Sequence, residues 1–279
     1  MNDLPEIEFN QSTIRLGCLV NPGPSVFPLL RANPTFRCWT QQEIGDAIRG
    51  KRPKLRRQQF AGDQWIINQR SLGSCNPSAA TGTLRRSLAL NGRNDVPLLS
   101  WEFVYAQLVD GRDVGSMLDA GMAELEGTGA PPLNTRAHPI NRDYRKRDYS
   151  AAEYQAAKLY TARDTFVVES ELELATLLLS GQGAAVVAVH VGNSFTDLDA
   201  DGFAGADRGA GNHAVGVEDV EIINGELAFD MFNSWGLDFG DAGHCYLSWR
   251  RHLEQTRPYH QFYAILNGSN PNADGPTAN

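Results

Sequence analysis

Apolar and polar positions change rhythm twice along the chain. Residues 1–58 are rich in Pro, Arg and Asn, as in NPGPSVFPLL and RGKRPKLRRQQF, and hold no sustained period. They read as an extension that wraps or precedes the main fold. From Ser74 the pattern becomes helical in CNPSAATGTLRRSLALNG, where Leu84 and Leu88 share a face and Asn91-Gly92 supplies a stop. Pro77 suits the first turn of that helix, where a missing N–H costs nothing. Further helices are predicted at SWEFVYAQLVDG from Ser100, at GSMLDAGMAELEG from Gly115, and at ELELATLLLSG after Ser170, where Ser170 and Glu173 form a capping-box pair.

After Gly183 the rhythm switches to strands: AAVVAVHV from Ala184, HAVGVEDVEII from His213, ELAFDMFN from Glu226, HCYLSW from His244 and HQFYAIL from His260. Asn224-Gly225 separates two of them and favours a tight antiparallel hairpin. A helical half followed by a β half predicts an α+β protein. The boundaries read as an extension over 1–58, a mainly helical half over 59–135, a mainly β half over 136–266 and a disordered polar tail over 267–279.

Composition narrows the functional classes. The formal charge of -8 and pI near 5.3 give no global drive toward nucleic acid or an anionic membrane. The local exception is the basic run Arg49–Arg57, read as a solvated face ahead of a nucleic-acid patch, a processing site or a docking arm. No segment is long and apolar enough to span a bilayer, and MNDLPEIEFN does not resemble a secretory signal. The expectation is a soluble protein, cytoplasmic or virion-associated. Cys18, Cys38, Cys75 and Cys245 are too scattered for a disulfide scaffold, so reduced thiols are the default, with a Cys18–Cys38 pair as the lesser alternative.

Candidate chemistry centres on Cys75. A thiol becomes a nucleophile as thiolate, favoured at a helix N-terminus, and Cys75 opens the first predicted helix. A buried cysteine packed as a small apolar residue is the plain alternative. Three motifs tip the balance: NQRSLGSC with Gln69 six positions before Cys75, GNHAV with His213, and FNSWGLDFGDAG with Asn233. In order and wording these resemble the papain family of cysteine peptidases, and from about Arg57 to Leu266 the chain can be followed along it.

The resemblance implies a papain-like fold, with a helical half and an antiparallel barrel-like β half flanking a substrate cleft. It implies Cys75 as nucleophile, His213 as base and Asn233 as the group orienting the histidine. Gln69, with the Cys75 N–H, would form the oxyanion hole. Ser234 and Trp235 would shield the Asn233–His213 hydrogen bond, and Gly115 would wall the cleft. The departures are Asn76-Pro77 in place of the family's Trp after the nucleophile, Leu72 in place of a disulfide cysteine, Phe239 in place of a second Trp, and no recognisable helical prosegment.

The expected activity is a cysteine-type endopeptidase acting on protein or peptide through a thioester, with no cofactor and no metal. Alternatives are an acyl transferase or amidase, and a papain-fold structural or binding component of a larger assembly, with the N-terminal extension over 1–58 read as either a pro-segment or a docking arm. DLDADG from Asp197 begins like a calcium loop, but Arg208 stands where the bidentate Glu belongs, which favours a solvated acidic turn. His138, His190, His244, His252 and His260 lack partner motifs and read as structural.

Overall fold

The computed structural model describes residues 4–93, 95–133 and 145–266; the expectations for His138 and for the tail lie outside them. The N-terminal stretch has more structure than its composition suggests. Strands β1 (Glu6–Phe9) and β2 (Ser12–Arg15) form a hairpin whose two turn residues, Asn10 and Gln11, both adopt positive φ, as a tight hairpin turn requires. Helix α1 (Gln41–Gly50) follows, and its local signal is a reciprocal capping box between Thr40 and Glu43. A short helix α2 (Leu55–Gln59) completes the segment.

The basic run expected to be a solvated face is instead docked on the β half. Lys51 Nζ lies 3.1 Å from Asp219 and 2.5 Å from Glu221, Lys54 pairs with Asp241 at 2.8 Å, and Arg57 reaches Asp230 and Asp241 at 2.6 Å each. Asp230 is fully buried, so its charge requires that guanidinium.

Helix α3 (Cys75–Leu90) is the axis of the fold, running between α4 (Trp101–Val109) and α5 (Leu118–Gly127) on one side and the sheet on the other. Every residue from Cys75 to Ala89 is buried, so its polar groups need internal partners. Thr81 donates to Pro77 O, Thr83 to Ala185 O and Ser87 to Leu266 O, while Arg86 ion-pairs with Glu218, itself 3.2 Å from His244 Nε2. Pro77 sits in the first turn as predicted.

Helix α6 (Ala151–Ala157), β3 (Thr165–Val168) and α7 (Glu171–Ser180) lead into β4 (Ala184–Val189), β5 (His213–Ile223), β6 (Glu226–Phe232), β7 (His244–Ser248) and β8 (Phe262–Ile265). Ser170 caps α7 as expected, but Glu173 reaches back to the N–H of Glu169 rather than that of Ser170. Asn224 and Gly225 take positive φ and join β5 to β6. The sheet is antiparallel in the order β3-β8-β4-β5-β6-β7. It remains open at β3 and β7, which corrects the barrel-like expectation for the β half.

Of the remaining histidines, His244 bonds Ala242 O, His252 bonds Ala204 O, and His190 bonds Ala210 O. In DLDADG, Asp199 accepts from the N–H groups of Asp201 and Phe203 and from Arg251, and Asp201 accepts from Asn224.

Candidate active site

Cys75 is the first residue of α3. The preceding Ser74 makes no side-chain cap, so the helix's first N–H groups are left to the dipole and to whatever stands at that end. The backbone N–H of Ala214 favours the Cys75 thiolate, so the thiol stands near the start of β5, where His213 sits.

His213 Nε2 lies 2.8 Å from Asn233 Oδ1. That oxygen also accepts from Ser234 N–H at 2.8 Å, which fixes the amide's orientation and makes Nε2 the protonated ring nitrogen. Nδ1 is thereby left with a lone pair; it is buried and makes no hydrogen bond, so Cys75 and His213 are neighbours that are not joined. Trp235 packs on the imidazole with ring centroids 4.9 Å apart, backed by Phe239 at 5.2 Å and Phe9 at 5.6 Å.

Ser234 holds Gln69. Its hydroxyl donates to Gln69 Oε1 at 2.6 Å, and its carbonyl accepts from Gln69 N–H at 2.8 Å. Gln69 is consequently locked with its amide nitrogen facing outward, donating to Leu72 O at 2.7 Å and to Arg15 O at 3.1 Å. Asn76, which stands in place of the family's Trp, ties α3 to the start of α5 by donating to Ser116 Oγ at 2.9 Å and Met117 O at 2.6 Å. Gly121 leaves room for it, since a Cβ there would lie 2.6 Å from Asn76 Oδ1.

Arg15 belongs to a segment whose role has no motif to announce it. Beyond β2 the chain runs through the cleft as a strap. Gly17 O accepts from Ser116 N–H at 2.8 Å, Cys18 N–H donates to Asn212 O at 3.0 Å, and Leu19 N–H donates to Ser116 O at 3.1 Å. Gly115, with φ +70, is the wall against which the strap lies: its Cβ would meet Gly17 O at 2.5 Å. On the strap's other side, a Cβ on Gly17 would lie 1.8 Å from Gly73 O. Only a glycine passes between Gly73 and Gly115 at this height. Outside the cleft, Arg15 is anchored to Asp113 at 2.8 Å, and Asp113 also accepts from Gly73 N–H and from Tyr105.

Cys18 turns its thiol into the β half, 3.9 Å from His260 Nδ1, while His260 Nε2 donates to Gly211 O at 3.0 Å. All four cysteines are free thiols. Burial beneath the strap pushes the Cys75 thiol up to about 11, with the N–H donors from Ala214 and Gly17 opposing, and pushes His213 down to about 4, with Asn233 opposing. In this arrangement the thiol and imidazole are both neutral at pH 7.

Compared as a sequence, the chain matches no family model and no curated protein. Solved structures do match. Xylellain, a cysteine protease from Xylella fastidiosa, is 16% identical, with 90% of this chain and 95% of that one covered and a TM-score of 0.65. Procathepsin B S9 from Trypanosoma congolense is 17% identical over 90% and 85%, with a TM-score of 0.62. Bromelain from Ananas comosus, bound to the inhibitor E64, is 18% identical over 76% and 97%, with a TM-score of 0.57. Identities this low carry architecture rather than activity, and the architecture, a helix opened by Cys75 and packed on an antiparallel sheet that carries His213 and Asn233, is the papain-like fold.

Proposed function

We propose that the chain is a cysteine-type endopeptidase held closed by its own N-terminal strap. The observation that carries this is Gln69: locked by Ser234, its amide donates to a peptide carbonyl, that of Arg15, in the cleft where Cys75 Sγ stands. A cleft that hydrogen-bonds extended backbone through Ser116, Asn212 and Gln69 has the donors and acceptors an incoming peptide needs.

With the strap withdrawn, His213 Nδ1 takes the Cys75 proton and the sulfur attacks the peptide carbonyl carbon, forming a C–S bond. The oxyanion is held by Gln69 Nε2 and the Cys75 N–H. The imidazolium then protonates the leaving amine as the C–N bond breaks, and water, deprotonated by His213, hydrolyses the thioester. Asn233 keeps Nε2 protonated throughout, and its neutral amide adds no buried charge.

Hydrolysis of a fluorogenic peptide tests this in a Gly17→Val background, chosen to displace the strap. Cys75→Ala should abolish turnover, and Gln69→Ala should lower kcat/KM by about 100-fold to 1,000-fold, the size of a lost oxyanion donor. Turnover that survives Cys75→Ala would refute the assignment. A second reading, a papain-fold binding component without turnover, draws support from the sealed and uncharged state of Cys75 and His213. It predicts that Gly17→Val stays inert.

A further inference from the structure

Some ten residues along α3 from Cys75, or about 15 Å at the helical rise, lies a groove of about 530 Å³ unconnected with the cleft residues. Gln59 and Phe60 at the end of α2, Gln64 and Trp65, and the Val96–Leu98 stretch line it together with Arg85. Arg85 is 5% exposed, and its guanidinium lies 3.8 Å from the centre of the Trp65 ring. Nε donates to Val96 O at 2.9 Å and Nη1 donates to Gln64 O. Nη2 makes no hydrogen bond among the described residues and is not sealed from solvent, so its N–H groups are available to the groove.

Arg85 differs from its neighbour Arg86 in its charge balance. Arg86, wholly buried, is neutralised by Glu218. No carboxylate among the described residues is ion-paired with Arg85, and the charge acting on it is that of Arg86, which is repulsive. Burial and that repulsion together hold the guanidinium down to about 10. A nearly buried cation with a like-charged neighbour and no counter-charge is costly, and its two backbone acceptors are neutral.

We propose that this groove binds a small carboxylate with an apolar body, its carboxylate taken by Arg85 Nη2. A single uncompensated positive charge matches a monoanion better than a dianion. The planar fork, held flat on Trp65, presents N–H groups in the geometry a carboxylate accepts. Pro97 and Leu98, both half-buried, offer apolar surface to the rest of the ligand. Gln59, whose Oε1 accepts from Arg56, keeps its amide N–H groups for a second oxygen. The site stands independently of the peptidase reading.

The test is calorimetric titration of the full chain with 3-phenylpropionate, with its neutral amide, and with inorganic phosphate. The expected result is saturable binding of 3-phenylpropionate at or below about 1 mM, with the amide and phosphate at least about tenfold weaker. Arg85→Met, which keeps the stem over Trp65, should lose that binding with an unchanged circular dichroism spectrum. Gln64→Glu adds a carboxylate at an exposed residue of the groove lining, whose backbone carbonyl already meets Arg85; it should also abolish binding, raise the melting temperature, and leave Cys75 reactivity unchanged. The proposal is overturned if the wild type shows no saturable binding, if the amide or phosphate binds as well, or if Gln64→Glu binds like wild type.

Discussion

Gly17 is the residue on which closure of the cleft turns. A side chain there meets the Gly73 carbonyl oxygen at 1.8 Å, and that oxygen is backbone, which cannot rotate aside. Overpacking of this kind costs about 1–3 kcal/mol, so Gly17→Val should shift the strap toward release and raise the rate of Cys75 modification on the order of tenfold. An unchanged rate would mean that the strap does not limit access. The residues legible in the sequence are those whose spacing is itself a motif: Gln69 six before Cys75, the histidine opening a strand, the asparagine in NSWG. Gly17, Arg15 and Cys18 were not legible, because their meaning lies in contacts with Gly73, Gln69 and His260, far away along the chain. The contact of Ser234 was hidden for the same reason: its neighbours in sequence suggest a shield, and its hydroxyl holds the Gln69 amide.

Elements with a strong period were read correctly at this scale. Helices α3, α4 and α7 and strands β4 to β8 fall where the apolar rhythm places them, because each buries a face or a whole run against a neighbour. Strands β1 (EIEF) and β2 (STIR) mix charged and polar residues into four positions and so lack the apolar run that marks the equally short β8, and the Pro- and Arg-rich flanks of α1 mask it although Thr40 and Glu43 carry a capping signature. Helix α3 owes its position to a feature that its apolar pattern hides. Arg86, against the Phe232 ring at 3.4 Å, pairs with Glu218 on β5, so a buried ion pair joins helix to sheet behind the site. Breaking such a pair from one side leaves a buried charge, so Glu218→Ala should destabilise the fold by about 3–5 kcal/mol, measured by urea unfolding. A loss below about 1 kcal/mol would show that Arg86 finds another partner. The cost of removing Glu218 would also appear at His244, which shares its carboxylate.

The whole molecule is sensitive to acid because three histidines are folded in as neutral rings. Burial holds His213, His252 and His260 below the ordinary value, His213 at about 4. Between that value and 6.5 the unfolded chain binds more protons than the folded one, so stability is full above this window and falls as pH drops through it. For His213 alone the loss between pH 7 and pH 5 is about 2 kcal/mol. In denaturant titrations at the two pH values, His213→Gln should show a smaller loss than wild type by about that amount; equal losses would mean that His213 is not buried neutral. The same burial keeps Cys75 and His213 uncharged under the strap, and withdrawal of the strap restores the solvent that lets thiolate and imidazolium form. The most direct measurement is therefore labelling of the intact chain and of Gly17→Val with an epoxide reagent for cysteine-peptidase nucleophiles, followed by mass mapping. The account predicts label on Cys75, faster in Gly17→Val and absent in Cys75→Ala; label confined to Cys18, Cys38 or Cys245 in Gly17→Val would contradict it.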